Sequence, residues 1–223
     1  MYDRKAIKLF EKYLIHQMNT WWPEYNHKSI IDNIKPALDL MERNFSALKS
    51  RKACNSDCMV FEPLHSLTWM IFLYRISVLL YKGGKNQEAN MVYYLNKIMH
   101  GIDWFYKVEL PIHFMAEHPL GSVLGKAQYG DYLFVYQGTT VGGNRKGGEL
   151  YYPILGNNVI MYANSTILGR SVIGNNVVVA ADTYIIDEIV PDNCIVFGKS
   201  PNLVFKQKVE SEIKDLTAHI WSW

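Results

Sequence analysis

Apolar positions along this 223-residue chain follow two periods, and the change between them separates two kinds of structure. Up to about residue 107 the spacing is that of helices. In "AIKLFEKYLIHQM", Ile7, Phe10, Leu14 and Met18 share one helical face. "IDNIKPALDLMERNFSALK" repeats the theme, with Pro36 near a predicted helix start. "HSLTWMIFLYRISVLLYKGG" predicts a third helix, with Ser66 as its N-cap and Gly83-Gly84 as its stop. "NQEANMVYYLNKIMHGIDWF" predicts a fourth. Their thick apolar faces suit a bundle packed on itself and on partner subunits.

From Val123 the step becomes six. Val123, Tyr129, Val135 and Val141 keep it, and after an interruption so do Leu155, Met161, Ile167, Ile173, Val179 and Ile185. A second track four residues on holds small or β-branched residues: Val159, Ser165, Ser171, Val177, Thr183 and Ile189. Six matches neither a helix nor a lone strand. It is the signature of a hexapeptide β-helix, in which each flat face gives one inward aliphatic residue and three faces complete a coil. Two "GNN" triplets, starting at Gly156 and Gly174, are candidate corners, because Gly and Asn tolerate left-handed backbone angles. Val141 and Leu155 are fourteen apart, so "GGNRKGGELYYPI" must leave the coil and return. Four glycines, at 142, 143, 147 and 148, let that loop approach a ligand closely, and an excursion on one edge of a solenoid reads as a binding face. The expected fold class is therefore α+β: helices over 1–107, a parallel β-helix with a protruding loop over 108–205, and a short C-terminal helix over 206–223.

Composition narrows the function. With 49% hydrophobic and 20% charged residues, the chain has the balance of a folded domain. A net charge of +2, with "NRKGG" and "KSRK" as the only basic spots, argues against nucleic acid as a partner. Cys54, Cys58 and Cys194 are an odd number without a disulfide framework, which fits a reducing, cytoplasmic compartment. Cys54 and Cys58 lack the spacing and the second pair that a zinc site needs. The N-terminus has no signal-peptide core. "WMIFLYRISVLLY" is shorter than a bilayer crossing and carries Arg75 in its middle, so it reads as a buried helix and no membrane span is expected.

Four stretches carry a resemblance to a known family: "HSLTWMIFLYRIS", "EHPLGSVLG", "QGTTVGGNRKGG" and "IVPDNCIVFGKSPNLV". Over roughly residues 65–206 the chain resembles the left-handed β-helix acyltransferases, and within them the serine acetyltransferase family. The resemblance implies acetyl-CoA as donor, no metal, a homotrimer with clefts between subunits, and a helical domain able to pair two trimers. It implies His118 as the general base. Glu109, in "VEL", stands where the family has the acid that pairs with that histidine, and Glu117 matches the acid directly before it, used near the acceptor. The stretch from Glu109 to His118 is about one hexad shorter than in the family. By motif match Gly142, Gly143, Ala163 and Ala181 would line the pantetheine arm, and Lys199 could meet the nucleotide phosphates.

The chemistry is consistent with those residues. Acetyl transfer from a thioester to a hydroxyl needs a base for the hydroxyl proton and donors for the oxyanion, and histidine titrates near neutrality. The other reading of His118 is a buried histidine satisfied by backbone. The family's Arg-His-Pro after the glycine-rich loop is here Tyr151-Tyr152-Pro153, which removes a bidentate partner for an amino-acid carboxylate. Together with Tyr136 and Gln137, these tyrosines suggest a flat surface for sugar rings. The expected activity is thus CoA-dependent O-acetylation of a sugar hydroxyl in surface-polysaccharide synthesis, with serine O-acetylation or a non-catalytic scaffold as alternatives. A zinc enzyme of the γ-carbonic anhydrase type would need histidines on neighbouring coils, and residues 119–218 hold none. A sugar-nucleotide pyrophosphorylase would need an N-terminal α/β domain. A covalent route through Cys194 lacks a neighbouring histidine in sequence.

Overall fold

The structure is a computed structural model that describes residues 4–48 and 65–222, and these form two units. Cys54, Cys58 and the "KSRK" stretch lie outside the described residues. The first unit holds five helices: α1 (Arg4–Trp21), α2 (Lys28–Asp32), α3 (Ile34–Phe45), α4 (Ser66–Lys82) and α5 (Asn86–His100). Phe10, Leu14 and Met18 of α1 are buried, and Phe10 packs against Trp69 and Phe72 of α4. Pro36 sits in the first turn of α3, where its missing N–H has no intrahelical acceptor to lose. The N-cap of α4 is His65, not Ser66: the imidazole Nδ1 accepts from the Thr68 N–H at 3.4 Å, and Ser66 is the first helical residue. Helix α4 is buried nearly all round, Arg75 included at 4% exposure. Among the described residues no helix is long and apolar enough to cross a membrane. Helix α5 stops at Gly101, whose φ of +61° gives the left-handed cap, so "IDWF" leaves the helix.

The second unit begins with β1 (Asp103–Trp104), β2 (Phe114–Ala116), β3 (Val123–Leu124), β4 (Gln128–Tyr129), β5 (Leu133–Val135) and β6 (Thr140–Gly142). The antiparallel pair β7 (Asn144–Lys146) and β8 (Glu149–Tyr151) forms the protruding loop. Then come β9 (Ile154–Leu155), β10 (Val159–Met161), β11 (Thr166–Leu168), β12 (Val172–Ile173), β13 (Val177–Val179), β14 (Tyr184–Ile186), β15 (Ile189–Val190), β16 (Cys194–Lys199), β17 (Asn202–Gln207) and α6 (Glu210–Thr217). Parallel pairing sorts the strands into three faces. The first is β2, β5, β10, β13, β16; the second β1, β3, β6, β11, β14; the third β4, β9, β12, β15. This is the parallel β-helix that the six-residue step predicts.

Val135, Val141, Leu155, Met161, Ile167, Ile173, Val179 and Ile185 all point into the prism. Two positions depart from the expected track. Leu124, not Val123, is buried on the second face, and Val190, not Ile189, on the third; Ile189 is 75% exposed. The reason is a residue lost between coils: Leu124 to Val141 and Val179 to Val196 each span seventeen residues, where Met161 to Val179 spans eighteen. The buried hydroxyls of Ser165 and Ser171 in the second track, and of Thr139 four residues after Val135, each donate to the carbonyl three residues back, at 2.7–2.9 Å. That removes the cost of placing a polar group inside.

The corners divide their work between residue types. Asn158, Asn176 and Asn193 hold left-handed φ values of 54–56°. Gly156 and Gly174 do not; they are needed because the next coil's backbone would lie within 2.7 Å of a Cβ. At the far end β17 pairs antiparallel with β16 and covers that edge. Ile220 and Trp221 pack on Phe134 and Ile160, covering the outer side of the first face, and Leu48 bridges to Trp221.

Candidate active site

His118 stands on a corner that carries two extra residues. Successive coils turn from the first face to the second through Gly121, Gly138, Asn164 and Asp182, all with left-handed φ. Gly138, Asn164 and Asp182 follow the inward residues Val135, Met161 and Val179 by three positions, whereas Gly121 follows Ala116 by five. The surplus is pushed outward as His118-Pro119. His118 itself has a φ of 49°, unusual for a residue with a Cβ, and its side chain is 80% exposed. The buried-histidine reading is therefore overturned: no core surrounds this imidazole.

Its neighbour Glu117 places Oε1 4.0 Å from Nε2, close enough for charge interaction but too long for a hydrogen bond. The Tyr136 hydroxyl donates to the Glu117 carboxylate, and burial with that contact holds the phenol pKa well above its usual range. Tyr136 is fixed in turn by stacking on Tyr162, ring centres 5.0 Å apart. Glu117 is the one polar partner of His118 among the described residues, so Glu109, which is exposed, does not meet it within this chain.

The same corner carries Gln137, Ala163, Ala181 and Lys199. Leu120, Gln137, Ala163 and Ala181 are stacked coil on coil by the backbone bonds Gly138 N–H to Leu120 O, Asn164 N–H to Gln137 O and Asp182 N–H to Ala163 O. Gly198 and Lys199 continue the ridge where β16 bends onto the second face. Four steps between coils make the ridge about 19 Å long. Small side chains at Ala163 and Ala181 leave its backbone open to a ligand's approach.

Gly142, Gly143, Tyr151 and Tyr152 are elsewhere. They occupy the corner between the second and third faces, separated from His118 by about 13 Å of extended chain across one face. A Cβ on Gly143 would come within 2.9 Å of the Tyr152 ring. Lys126 lies 4.6 Å from the centre of that ring, and Arg170 4.8 Å from the centre of Tyr151. The Tyr151 hydroxyl donates to Glu149, which raises its pKa. Asp187 accepts from the Arg170 backbone N–H at 2.8 Å and pairs with Lys146 at 3.5 Å, and these contacts lower its pKa. Sequence reasoning missed Lys126 and Arg170, because nothing in a linear motif shows which solvent-side cations two coils will bring to one loop.

It also missed His113. The Nδ1 of His113 lies 2.7 Å from Asp131, and its backbone N–H donates to the same carboxylate. This pair ends a corner ladder in which Asp131, Asn157 and Asn175 each donate a backbone N–H to the side-chain oxygen of Asn157, Asn175 and Asp192. Cys194 is buried, its thiol pKa pushed up to about 11 by desolvation, which makes it a poor nucleophile at neutral pH. Among the described residues no His, Cys, Asp and Glu are grouped as metal ligands.

Fold and corner geometry define the class: a hexapeptide-repeat, left-handed β-helix protein with an exposed histidine on one corner and a glycine-rich loop on the next. Within that class the chain is serine acetyltransferase-like. It is 29% identical over 143 residues to a serine acetyltransferase of Synechococcus elongatus, covering 64% of this chain and 58% of that protein. It is 33% identical over 91 residues to one of Staphylococcus epidermidis, covering 40% and 43%. The chain thus spans about half the length of the curated relatives it matches. No family model matches it. Among solved structures, serine acetyltransferase of Neisseria gonorrhoeae in complex with serine superposes with a TM-score of 0.64 at 25% identity, over 78% of this chain and 73% of that one. The Brucella abortus enzyme in complex with coenzyme A gives 0.64 at 18% identity, over 80% and 73%.

Proposed function

We propose that the protein is an acetyl-CoA-dependent O-acetyltransferase in which His118 is the general base. The observation that carries the reading is the outward corner insertion, which sets an exposed imidazole at one end of the ridge of Gln137, Ala163 and Ala181. In the proposed reaction the pantetheine arm lies along that ridge. The acceptor hydroxyl attacks the thioester carbonyl as its proton passes to His118. Collapse of the tetrahedral intermediate expels the coenzyme A thiolate, which takes the proton back. Glu117, oriented by Tyr136, stabilises the imidazolium in between.

The acceptor we favour is the hydroxyl of serine. The relatives are serine acetyltransferases, and one neighbour is a complex with serine. The sugar acceptor expected from the tyrosines loses its support, because Lys126 covers a face of Tyr152, Arg170 covers a face of Tyr151, and Gly143 abuts the Tyr152 ring. The assembly we favour is a homotrimer. His118 and the glycine-rich loop sit on different corners of one prism, so a ring of copies is the simplest way to face one with the other.

Acetyl transfer followed by thiol release, with serine and with a panel of nucleotide sugars, tests the reading. Turnover of serine, with loss of about 10²–10⁴-fold in kcat for His118→Ala, is the expected result. Full activity in that variant, or turnover of sugars alone, would overturn it. A protein that fails to bind coenzyme A would be a scaffold instead.

A further inference from the structure

Two cations bracket the base of the protruding loop, and neither side chain is engaged by a hydrogen bond or an ion pair among the described residues. Arg170 comes from the coil after the loop and Lys126 from the coil before it. Each is laid on a tyrosine of the pair that closes the loop. Of the other nearby charges, Lys146 pairs with Asp187, the Arg145 guanidinium donates to the Gly148 carbonyl, and Glu149 accepts from the Tyr151 hydroxyl. Arg170 and Lys126 are thus the cations at this base that are held by aromatic rings rather than by side-chain hydrogen bonds, with the Asp187 carboxylate acting on Arg170. Arg170 is also the better held of the two: its backbone N–H is fixed to Asp187 and its guanidinium lies on the Tyr151 ring. A planar fork held against an aromatic wall, with its N–H edge open, is the arrangement that receives a carboxylate in two parallel hydrogen bonds.

We propose that Arg170, supported by Lys126, anchors the carboxylate of the amino-acid acceptor. It would supply from a neighbouring coil the guanidinium that Tyr151 cannot supply from the loop. Tyr151 then acts as a positioning residue, its ring holding the guanidinium and its own hydroxyl tied to Glu149. The proposal rests on the acceptor reading above. Tyr151 and Arg170 are nineteen residues apart in sequence and meet because the loop folds back over the following turn.

Steady-state kinetics separate the possibilities, with L-serine and with L-serinamide, which keeps the hydroxyl and lacks the carboxylate. For Arg170→Gln the expected result is a rise in KM for serine of about 10- to 100-fold, with kcat altered by less than about threefold. KM for acetyl-CoA should stay put, and the variant's activity on serinamide should equal the wild type's. Arg170→Lys, which keeps the charge and loses the fork, should fall between. Circular dichroism and a melting curve check that both variants remain folded. An unchanged KM for serine in a folded Arg170→Gln overturns the proposal and leaves the acceptor reading standing. A rise confined to acetyl-CoA overturns it in favour of a nucleotide phosphate as the anion. A wild type that does not turn over serine overturns both.

Discussion

At the scale of single residues, environment rather than identity decides what each ionisable group does. The chain has seven histidines, and three of them, His118, His113 and His100, differ in solvent contact. His118 is open to water on its corner. His113 is half-buried and tied to Asp131. His100 is half-buried on α5, where desolvation lowers its pKa and Asn96 partly offsets the shift. That lowering has a consequence for stability. A histidine whose folded pKa lies below its ordinary value of about 6.5 binds a proton more readily when unfolded. Its contribution is therefore complete above about pH 6.5 and is lost as the pH falls through that value. His27, lowered by desolvation too, acts in the same direction. Melting temperature followed from pH 7.5 to 5.5 should fall, and His100→Gln should flatten the slope; an unchanged slope in the variant would remove His100 as its cause. His118 was legible in the sequence because its neighbours form a motif. Its exposure was not, because that depends on a corner two residues longer than the corners stacked beneath it.

At the scale of elements, the six-residue step marked ten inward positions, and the structure moves the first of them by one residue. Two β-branched or aliphatic residues in a row, Val123-Leu124 and Ile189-Val190, are equally apolar, so pattern alone does not choose between them. Chain length around the corner does. The glycines of the "GNN" triplets illustrate the same limit. Their sequence suggests left-handed turns, yet the third residue of each triplet takes the left-handed angle and the glycine makes room for the next coil. A methyl group at Gly156 would lie 2.7 Å from the backbone of Gly174, closer than atoms pack. Gly156→Ala is therefore expected to destabilise the β-helix by about 1–3 kcal/mol, read from the shift in a denaturant midpoint at constant slope. A stability equal to wild type would show that adjacent coils slide apart at little cost.

At the scale of the whole molecule, the distribution of the site over two corners predicts complementation. In a ring of copies with heterologous contacts, the histidine of one chain would face the loop of the next. His118→Ala and Gly143→Trp, the latter forcing a large ring into Tyr152, should each be inactive alone. Co-expressed in equal amount, random mixing would rebuild about one quarter of the sites with both halves intact. Recovery near that fraction, measured on purified mixed oligomers by thiol release, is the expected result. Absence of recovery would show that each chain completes its own site or that the copies do not form such a ring.

What the sequence determined by itself is what depends on local repetition. The helical start, the six-residue β-helix, the excursion at 142–153 and the histidine at the mouth of the repeat are all written in spacing, and spacing is set by how many residues one turn or one face consumes. What only the tertiary structure decided is what depends on which coil lies beside which. The setting of Arg170 on Tyr151 and Lys126 on Tyr152 and the cover of Trp221 over Phe134 join residues 19 to 87 positions apart. Stacking along the prism axis brings such residues together, and no periodicity along the chain records it.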